Sequence, residues 1–389
     1  MNLKKRDLSY TEETEYEIRH RKRRVNYPAV LLILVLIALI AALLFYTYRK
    51  KAMRFTSYKV SSTMPVTDGS RYIAYGNGYV RYTSEGAEAV SGNNVLWNVS
   101  YSMKKPVVDV CGDYCVFGDK GRQEICVTDG TGANNRIDVP DKIVDVCIAS
   151  QGVTAVWTDS VDKDNILLYD IKGNLLLDIE TDIASNGFPI AIDLSEDGTK
   201  LVTSYIKIGD EMNTWVTFYN FGNVGQNYSD RMVGSYSFQN KIIPKVCFIN
   251  NERVAAFSEN DCRLYRMRET PEVLATQDAA RLSAVCTNDT YVCLAENETD
   301  GTTKLTIFDT DGKKKNTIIT GITYTGMCIN DSELVVYNNS SCVMYNLDGS
   351  EKFRTQIEGG IKTLFPAGNN KYYIVGANEV KLITLKTDD

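Results

Sequence analysis

The chain has 389 residues, of which 44% are hydrophobic and 24% are charged, the composition of an ordinary globular protein. Residues 1–28 hold eight Lys or Arg and five Asp or Glu, residues 29–54 add four basic residues and no acidic one, and the remainder has 31 basic and 44 acidic side chains. That remainder carries a net charge of −13 (31 − 44), which argues against nucleic-acid binding because phosphates would be repelled.

The first predicted element is a transmembrane helix at residues 29–48, which read AVLLILVLIALIAALLFYTY without a single charge. As a helix, this segment spans about 30 Å, the thickness of the hydrocarbon core of a bilayer. Basic residues flank it on both sides: Arg21, Lys22, Arg23 and Arg24 precede it, and Arg49, Lys50 and Lys51 follow it. No small-residue cleavage site follows the apolar stretch, so the segment is predicted to remain as an anchor rather than to be removed as a signal peptide.

The orientation of the anchor rests on the distribution of basic residues. Close to the membrane the two sides tie at five each, but the whole N-terminal tail has eight and contains the dense block RHRKRR. The positive-inside rule therefore favours residues 1–28 as a basic cytoplasmic tail, residues 49–54 as a juxtamembrane linker and residues 55–389 outside the cell. The opposite orientation, with residues 55–389 in the cytoplasm, remains the alternative.

A repeat of alternating apolar residues followed by a turn runs through residues 55–389. Its copies are YVRYTSEG (79–86), EICVTDG (124–130), ILLYDIKG (166–173), WVTFYNFG (215–222), CRLYRMRE (262–269), LTIFDTDG (305–312), VMYNLDG (343–349) and VKLITLK (380–386). Successive copies are 45, 42, 50, 46, 43, 37 and 40 residues apart. This is the period of a four-stranded propeller blade, so the repeat predicts an all-β fold, a β-propeller.

The rest of each repeat fits a blade whose third strand is the marker copy. Two short strands precede it, as in PVVDVCGDYCVFGD (106–119), and a fourth follows, as in LLLDIET (175–181). The last copy ends too close to residue 389 for a fourth strand, and FTSYKVSS (55–62) is predicted to supply it. Such closure removes exposed sheet edges. Eight blades are therefore predicted, with seven as the alternative.

These repeats resemble the WD40-like and quinoprotein-like β-propeller superfamily. With the basic tail, the anchor and the YDxxG-type repeats, the chain is similar more narrowly to single-pass, membrane-anchored propeller proteins of Gram-positive anaerobic bacteria. It departs from true WD40 repeats, since it has no Trp-Asp and no Gly-His pair. It also lacks a Trp in every blade, having only Trp97, Trp157 and Trp215. The resemblance implies a fold and a location but no activity.

Ten cysteines fall at repeat-equivalent places. Cys111, Cys147, Cys247, Cys286 and Cys328 lie in predicted first strands, Cys115 and Cys293 in second strands, and Cys126, Cys262 and Cys342 in third strands. Because no Cys-x-x-Cys occurs, they are predicted to be buried free thiols that serve as small apolar residues. Disulfides between Cys111 and Cys115, or between Cys286 and Cys293, are the alternative.

Catalytic chemistry finds little support. The single histidine is His20, in the tail, so a propeller at residues 55–389 cannot use a His-dependent triad or a His-ligated metal. Asp109 and Asp145 occupy equivalent places in first strands, which line the central channel of a propeller, and are the candidate channel residues. No catalytic residue, metal ligand or cofactor is predicted.

The sequence therefore predicts a non-enzymatic module that binds a protein or an envelope glycan. One alternative is an envelope enzyme or small-ligand sensor that uses carboxylates at the channel mouth. The other is an envelope assembly factor. The propeller fold alone does not choose among them.

Overall fold

The computed structural model describes residues 27–160, 163–181, 187–209 and 211–387, which form two compact units divided after Met53. The first unit contains helix α1, Tyr27–Ala52. Its stretch Tyr27–Tyr46 has a mean hydropathy of 3.2 and is long and apolar enough to cross a membrane. Length and composition alone fit both a membrane anchor and a signal sequence. Arg21, Lys22, Arg23 and Arg24 lie outside the described residues.

The second unit is an eight-bladed propeller built from 32 strands in eight four-stranded sheets. Strand β1 is Ser57–Pro65. Blade 1 consists of β2 (Arg71–Tyr75), β3 (Gly78–Tyr82), β4 (Gly86–Ser91) and β5 (Asn94–Ser100). Blade 2 consists of β6 (Pro106–Cys111), β7 (Tyr114–Asp119), β8 (Glu124–Thr128) and β9 (Asn134–Asp138). Blade 3 consists of β10 (Lys142–Ile148), β11 (Thr154–Asp159), β12 (Asp164–Tyr169) and β13 (Leu175–Thr181).

The remaining blades follow the same plan. Blade 4 consists of β14 (Phe188–Leu194), β15 (Lys200–Ile208), β16 (Met212–Asn220) and β17 (Met232–Gln239), with a 3-10 turn at Gly225–Asn227. Blade 5 consists of β18 (Lys245–Asn250), β19 (Arg253–Phe257), β20 (Asp261–Met267) and β21 (Pro271–Asp278). Blade 6 consists of β22 (Leu282–Thr287), β23 (Tyr291–Asn297), β24 (Thr303–Asp309) and β25 (Lys314–Thr320). Blade 7 consists of β26 (Gly326–Asn330), β27 (Glu333–Tyr337), β28 (Ser341–Asn346) and β29 (Glu351–Gln356). Blade 8 consists of β30 (Thr363–Pro366), β31 (Lys371–Val375), β32 (Glu379–Lys386) and β1.

Each blade is an antiparallel meander, and the first strands of neighbouring blades contact one another around the centre. The fourth strands are therefore outermost. The alternating strand direction gives the ring two faces. The upper face carries the turns between second and third strands and the connections from one blade to the next. The lower face carries the turns between first and second strands and between third and fourth strands.

The ring closes as the sequence predicts. Strand β1 pairs with β32 from Ser57 opposite Lys386 to Pro65 opposite Glu379, and so becomes the fourth strand of blade 8. The prediction of eight blades is confirmed. The pairing covers the outer edge of β32, which would otherwise be free to pair with another chain, and leaves β1 as the outermost strand of blade 8.

One detail of the repeat prediction is wrong. YVRYTSEG (79–86) is the second strand of blade 1, because β3 ends at Tyr82 and only β2 precedes it in that blade. The true third strand is β4, whose sequence GAEAVS has no aromatic marker. The register shift that precedes the marker residue in other blades, as between Leu168 and Tyr169, lies between Ala89 and Val90, so the marker position holds Val90, which packs against Tyr79 of β3. The other seven marker copies are third strands, as predicted.

The blades are joined by apolar side chains that interleave between neighbouring sheets. Val116 of blade 2 and Val156 of blade 3 share one buried cluster, and Phe218 of blade 4 packs against Tyr265 of blade 5 with ring centroids 5.0 Å apart. Each sheet therefore buries both of its faces, which explains why third strands such as β12 are buried along their whole length.

Candidate functional site on the upper face and in the channel

The two aspartates singled out from the sequence lie on innermost strands, Asp109 on β6 and Asp145 on β10. The Asp109 carboxylate Oδ2 accepts a hydrogen bond of 2.8 Å from the backbone N–H of Ile148 in the next blade. Burial raises the pKa of Asp109 to about 6. Asp145 Oδ1 accepts the N–H of Val146 at 3.0 Å, and burial raises its pKa as well. Asp109 therefore links the inner strands of blades 2 and 3.

A third channel carboxyl, Asp193 on β14, was missed. It stands in IAIDLS, without the Val-Asp-Val-Cys pattern that drew attention to the other two. Its Oδ2 accepts the N–H of Phe248 in blade 5 at 2.6 Å, and its Oδ1 accepts the N–H of Leu194 at 3.0 Å. Burial, and then the negative charge of Asp109, raise the pKa of Asp193 to about 8. Its carboxyl group is therefore mainly protonated at neutral pH.

The cysteines take the predicted strand positions, and all ten are free thiols in the structure. Burial raises the pKa of both Cys111 and Cys247 to about 12, so the reactive thiolate is scarce. Within the ranges that the structure describes, no group of three or more His, Cys, Asp or Glu side chains could hold a metal ion.

A basic cluster lies on the upper face above blades 2 and 3, defined by five exposed residues. They are Lys104, Lys105, Lys120, Arg122 and Lys142. The first two precede β6, the next two lie in the turn between β7 and β8, and the last begins β10. Its positive charge contrasts with the net charge of −13 carried by residues 55–389.

Backbone hydrogen bonds hold the three segments of this basic cluster together. The N–H of Lys120 donates to the carbonyl of Lys105 at 3.0 Å, and that of Gly121 donates to Ile143 at 2.8 Å. The N–H of Ile143 in turn donates to the carbonyl of Arg122 at 2.8 Å. The basic side chains therefore project from a fixed platform rather than from three independent loops.

Three acidic residues lie next to the cluster: Asp141 precedes Lys142, Asp159 is the partner of Lys142 across β10 and β11, and Asp119 is occupied by backbone groups. Asp119 is 2% exposed, and its Oδ1 accepts the N–H groups of Lys104 at 2.9 Å and Lys105 at 2.6 Å. Its Oδ2 lies 3.6 Å from Arg122 Nε. In the part of the chain that the structure describes, the four lysines of the cluster form no ion pair. Their charges remain available to a partner.

A second feature of the upper face is an apolar overhang formed by Phe188, Ile206, Ile208, Met212 and Ile242. Phe188 pairs with Ile206 and Ile208 pairs with Met212 in the sheet register, and alternation puts these side chains on one side of blade 4. Phe188, Ile208 and Ile242 are 49%, 76% and 45% exposed.

That side of blade 4 faces blade 5. The Ser204 hydroxyl, on the same side of β15 as Ile206, donates to the carbonyl of Ile243 at 2.8 Å in the connection that leads to blade 5. Ile242 precedes Ile243 in that connection, so all five residues of the overhang belong to the part of blade 4 that leads to blade 5. Exposed apolar surface of this kind marks interaction sites on soluble domains.

A family model described as "Family of unknown function (DUF5711)" matches residues 49–385. The chain belongs to this family. Comparison with the curated proteins finds no match for this DUF5711 protein.

Solved structures similar to the DUF5711 protein share its fold, a WD40-like β-propeller. Sqt1 of Saccharomyces cerevisiae is 11% identical over 86% of this chain and 100% of that chain, with a TM-score of 0.54. Chaetomium thermophilum Sqt1, solved bound to the N-terminus of the ribosomal protein L10, is 12% identical over 85% of this chain and 100% of its own, with a TM-score of 0.53. Apo AztD from Citrobacter koseri is 10% identical over 79% and 87%, with a TM-score of 0.50. At such identities the likeness shows the fold alone.

Proposed function

We propose that this DUF5711 protein is a membrane-anchored, non-enzymatic binding module that holds a partner protein on the upper face of its propeller. The observation that carries the proposal is the basic cluster, a platform of unpaired lysines on an otherwise acidic domain. Residues 1–28 would lie in the cytoplasm and the propeller outside the cell, in keeping with the sequence resemblance to envelope propellers of Gram-positive anaerobic bacteria.

Charge complementarity defines the partner. A segment rich in Asp and Glu would be attracted to the basic cluster and oriented by it, while the acidic remainder of the propeller would repel it elsewhere. The apolar overhang on blade 4 would supply the desolvated contacts that usually carry most of the binding energy. We therefore expect an acidic protein segment next to exposed apolar side chains.

The hydrogen bonds that the channel carboxyl groups make support the proposal of binding rather than catalysis. Asp109 and Asp193 accept hydrogen bonds from backbone N–H groups of the next blade. Their carboxyl oxygens are thus engaged within the propeller and are less available to a substrate.

The test is crosslinking in the native cell, followed by purification of the full-length protein and mass spectrometry. The upper-face variant carries Lys104→Glu, Lys105→Glu, Lys120→Glu and Lys142→Glu. The matched control carries four reversals at exposed lysines of the lower face, Lys172→Glu, Lys313→Glu, Lys371→Glu and Lys386→Glu. A chain ending at Arg54 shows what the anchor captures without the propeller.

We expect one defined partner with the wild type and the lower-face control, and at least about tenfold less with the upper-face variant, a loss of about 1.4 kcal/mol. Equal capture by both variants would contradict the proposal. Transient crosslinks to many different clients would favour an assembly factor. Capture of an envelope glycan by the basic cluster, in place of a protein, would also overturn it.

A further inference from the structure

A cleft of about 230 Å³ opens between blade 3 and blade 4, close to the outer edge of the propeller. We call it the blade 3–4 cleft. Its aromatic lining consists of Tyr205, Trp215 and Tyr219, from the second and third strands of blade 4. Tyr205 and Trp215 face each other in the sheet register, so their side chains lie on the same side, towards blade 3.

The cleft contains hydroxyl groups with unused hydrogens. The Tyr205 and Tyr219 hydroxyls lie 2.9 Å apart, and the Thr217 and Ser235 hydroxyls are also 2.9 Å apart. Each hydroxyl has one hydrogen, and each pair uses only one of its two hydrogens for the mutual bond. Among the described residues, the Thr217–Ser235 pair has no further side-chain or backbone acceptor and retains one donor for a ligand, while the Tyr205 hydroxyl also lies within hydrogen-bonding reach of Thr203.

Both tyrosine hydroxyls stay protonated and can donate a hydrogen bond. Burial raises the pKa of Tyr205 to about 12 and raises the pKa of Tyr219 well above its ordinary value. The hydroxyl of Thr203, on the same side of the strand as Tyr205, is fully buried and extends the tyrosine pair to a row of three hydroxyls. Three hydroxyls in a row use two hydrogens for their mutual bonds, so one hydrogen is left for a ligand.

Acceptors complete the lining, and none of the described side chains that line the cleft is basic. Asp230 lies close enough to Tyr219 for its negative charge to raise the pKa of that hydroxyl further. Glu180, at the rim, is paired with Lys163. An anionic ligand would therefore be repelled by Asp230.

We propose that the blade 3–4 cleft binds one neutral sugar ring of a glycan. The hydroxyls of a sugar both donate and accept, which matches a lining with free O–H donors and a carboxylate acceptor, while its C–H face would pack on Trp215. An organic cation would use the aromatic rings and Asp230 but would leave the O–H donors without acceptors. The volume lies below the roughly 300–1,000 Å³ of drug-sized pockets, so a single ring is the expected occupant.

The proposal is independent of partner binding on the upper face. Loss of the protein partner in the four-lysine upper-face variant, with sugar binding intact, would leave the cleft assignment standing. Failure of sugar binding would equally leave the upper-face proposal untouched.

The experiment is saturation-transfer NMR on the full-length protein in lipid nanodiscs, which contain no sugar-headed detergent. The probes are methyl glycosides of glucose, galactose, mannose and N-acetylglucosamine, with tetramethylammonium as the cationic comparison. We expect at least one glycoside to receive saturation, most strongly on the C–H protons of one ring face. Trp215→Ala should weaken its binding at least about tenfold, or 1.4 kcal/mol.

The second variant combines Thr217→Val with Ser235→Ala, which keeps the side-chain shape but removes one hydroxyl pair. This variant tests whether the cleft binds the glycoside if Trp215→Ala does not fold. The control is Tyr58→Ala, a partly exposed aromatic on the outermost strand of blade 8, which should leave glycoside binding unchanged. Saturation of tetramethylammonium alone, saturation of no probe, or glycoside binding unaffected by either cleft variant would each overturn the proposal.

Discussion

Lys352 and Glu333 form an ion pair inside the propeller. The Lys352 ammonium Nζ donates to Glu333 Oε1, and the two side chains are only 2% and 8% exposed. The second oxygen, Oε2, accepts the hydroxyl of Tyr372 from blade 8 at 3.1 Å. The same ammonium lies 5.1 Å from the ring centroid of Phe55, whose N–H donates to the Lys352 carbonyl at 3.0 Å. One buried network thus joins blade 7, blade 8 and the segment that leads into β1.

Replacing Lys352 by Met should destabilise the propeller by about 3–5 kcal/mol, because Glu333 would be left buried without its cation. Adding Glu333→Gln to that variant should recover part of the loss. Urea unfolding of the full-length protein, followed by tryptophan fluorescence, measures both. The comparison is Arg354→Ala, which breaks the exposed ion pair with Glu351 on the same strand and should cost about 1 kcal/mol or less. Equal losses for Lys352→Met and Arg354→Ala would contradict this account.

The stability of the propeller should fall as the pH rises through the neutral range. The folded pKa of Asp193, about 8, lies above the ordinary value of 3.8, so the folded state binds more protons than the unfolded state between these values. The stabilisation from the protonated carboxyl is complete below the unfolded pKa and is lost as the pH rises through the folded pKa. The slope should be about 1.4 kcal/mol per pH unit for this group.

Asp193→Asn should flatten this dependence and raise the melting temperature relative to the wild type above pH 8 or so. Thermal melts from about pH 5 to about pH 9 measure the effect. Asp300→Asn, in an exposed turn of blade 6, is the control and should leave the slope unchanged. If Asp193→Asn kept the wild-type slope of stability against pH, the pH dependence would have to come from other groups.

The native cysteines should react very slowly with iodoacetamide. Burial raises the pKa of Cys111 and Cys247 to about 12, which reduces the thiolate fraction about 10³-fold relative to a free cysteine. Intact-mass measurement should find little alkylation of the folded protein near neutral pH and ten modified thiols after unfolding. Fewer than ten reactive thiols in unreduced, unfolded protein would reveal a disulfide.

The low reactivity of the native cysteines also makes it possible to test the membrane orientation with single added thiols. Ser9→Cys places an accessible thiol in the N-terminal tail, and Lys313→Cys places one in an exposed turn of the propeller. With a membrane-impermeant maleimide added to intact cells, we expect labelling of the Lys313→Cys protein only. The Ser9→Cys protein should label after permeabilisation. The reverse pattern would put the propeller in the cytoplasm.

The fold was largely predictable because it repeats. A blade needs alternating apolar strands at a spacing near 40 residues, and that pattern is visible in the sequence even where single copies are poor. The prediction failed at β4, where the marker position holds Val90 and the aromatic side chain beside it, Tyr79, belongs to the preceding strand β3. Closure by β1 was predictable because only one strand was missing at the end of the chain.

The candidate sites were much less predictable. The basic cluster joins residues from Lys104 to Lys142 that become neighbours only when the blade 2 turn bonds to β10. The blade 3–4 cleft brings Glu180 beside Ser235, and its hydroxyl pairs depend on the register of β15, β16 and β17. Composition and spacing describe single strands, whereas these sites depend on how neighbouring strands and blades face each other.

Closure by β1 also fixes the order in which the protein can be completed. Ser57 leaves the ribosome more than 300 residues before its partner Lys386, so β1 must wait unpaired through the synthesis of every other blade. Contacts this distant in sequence form late and slowly, and an unpaired strand is exposed to wrong partners in the meantime. The eight residues of β32 therefore complete the ring, and a chain stopped short of them would carry two open edges, at β31 and at β1.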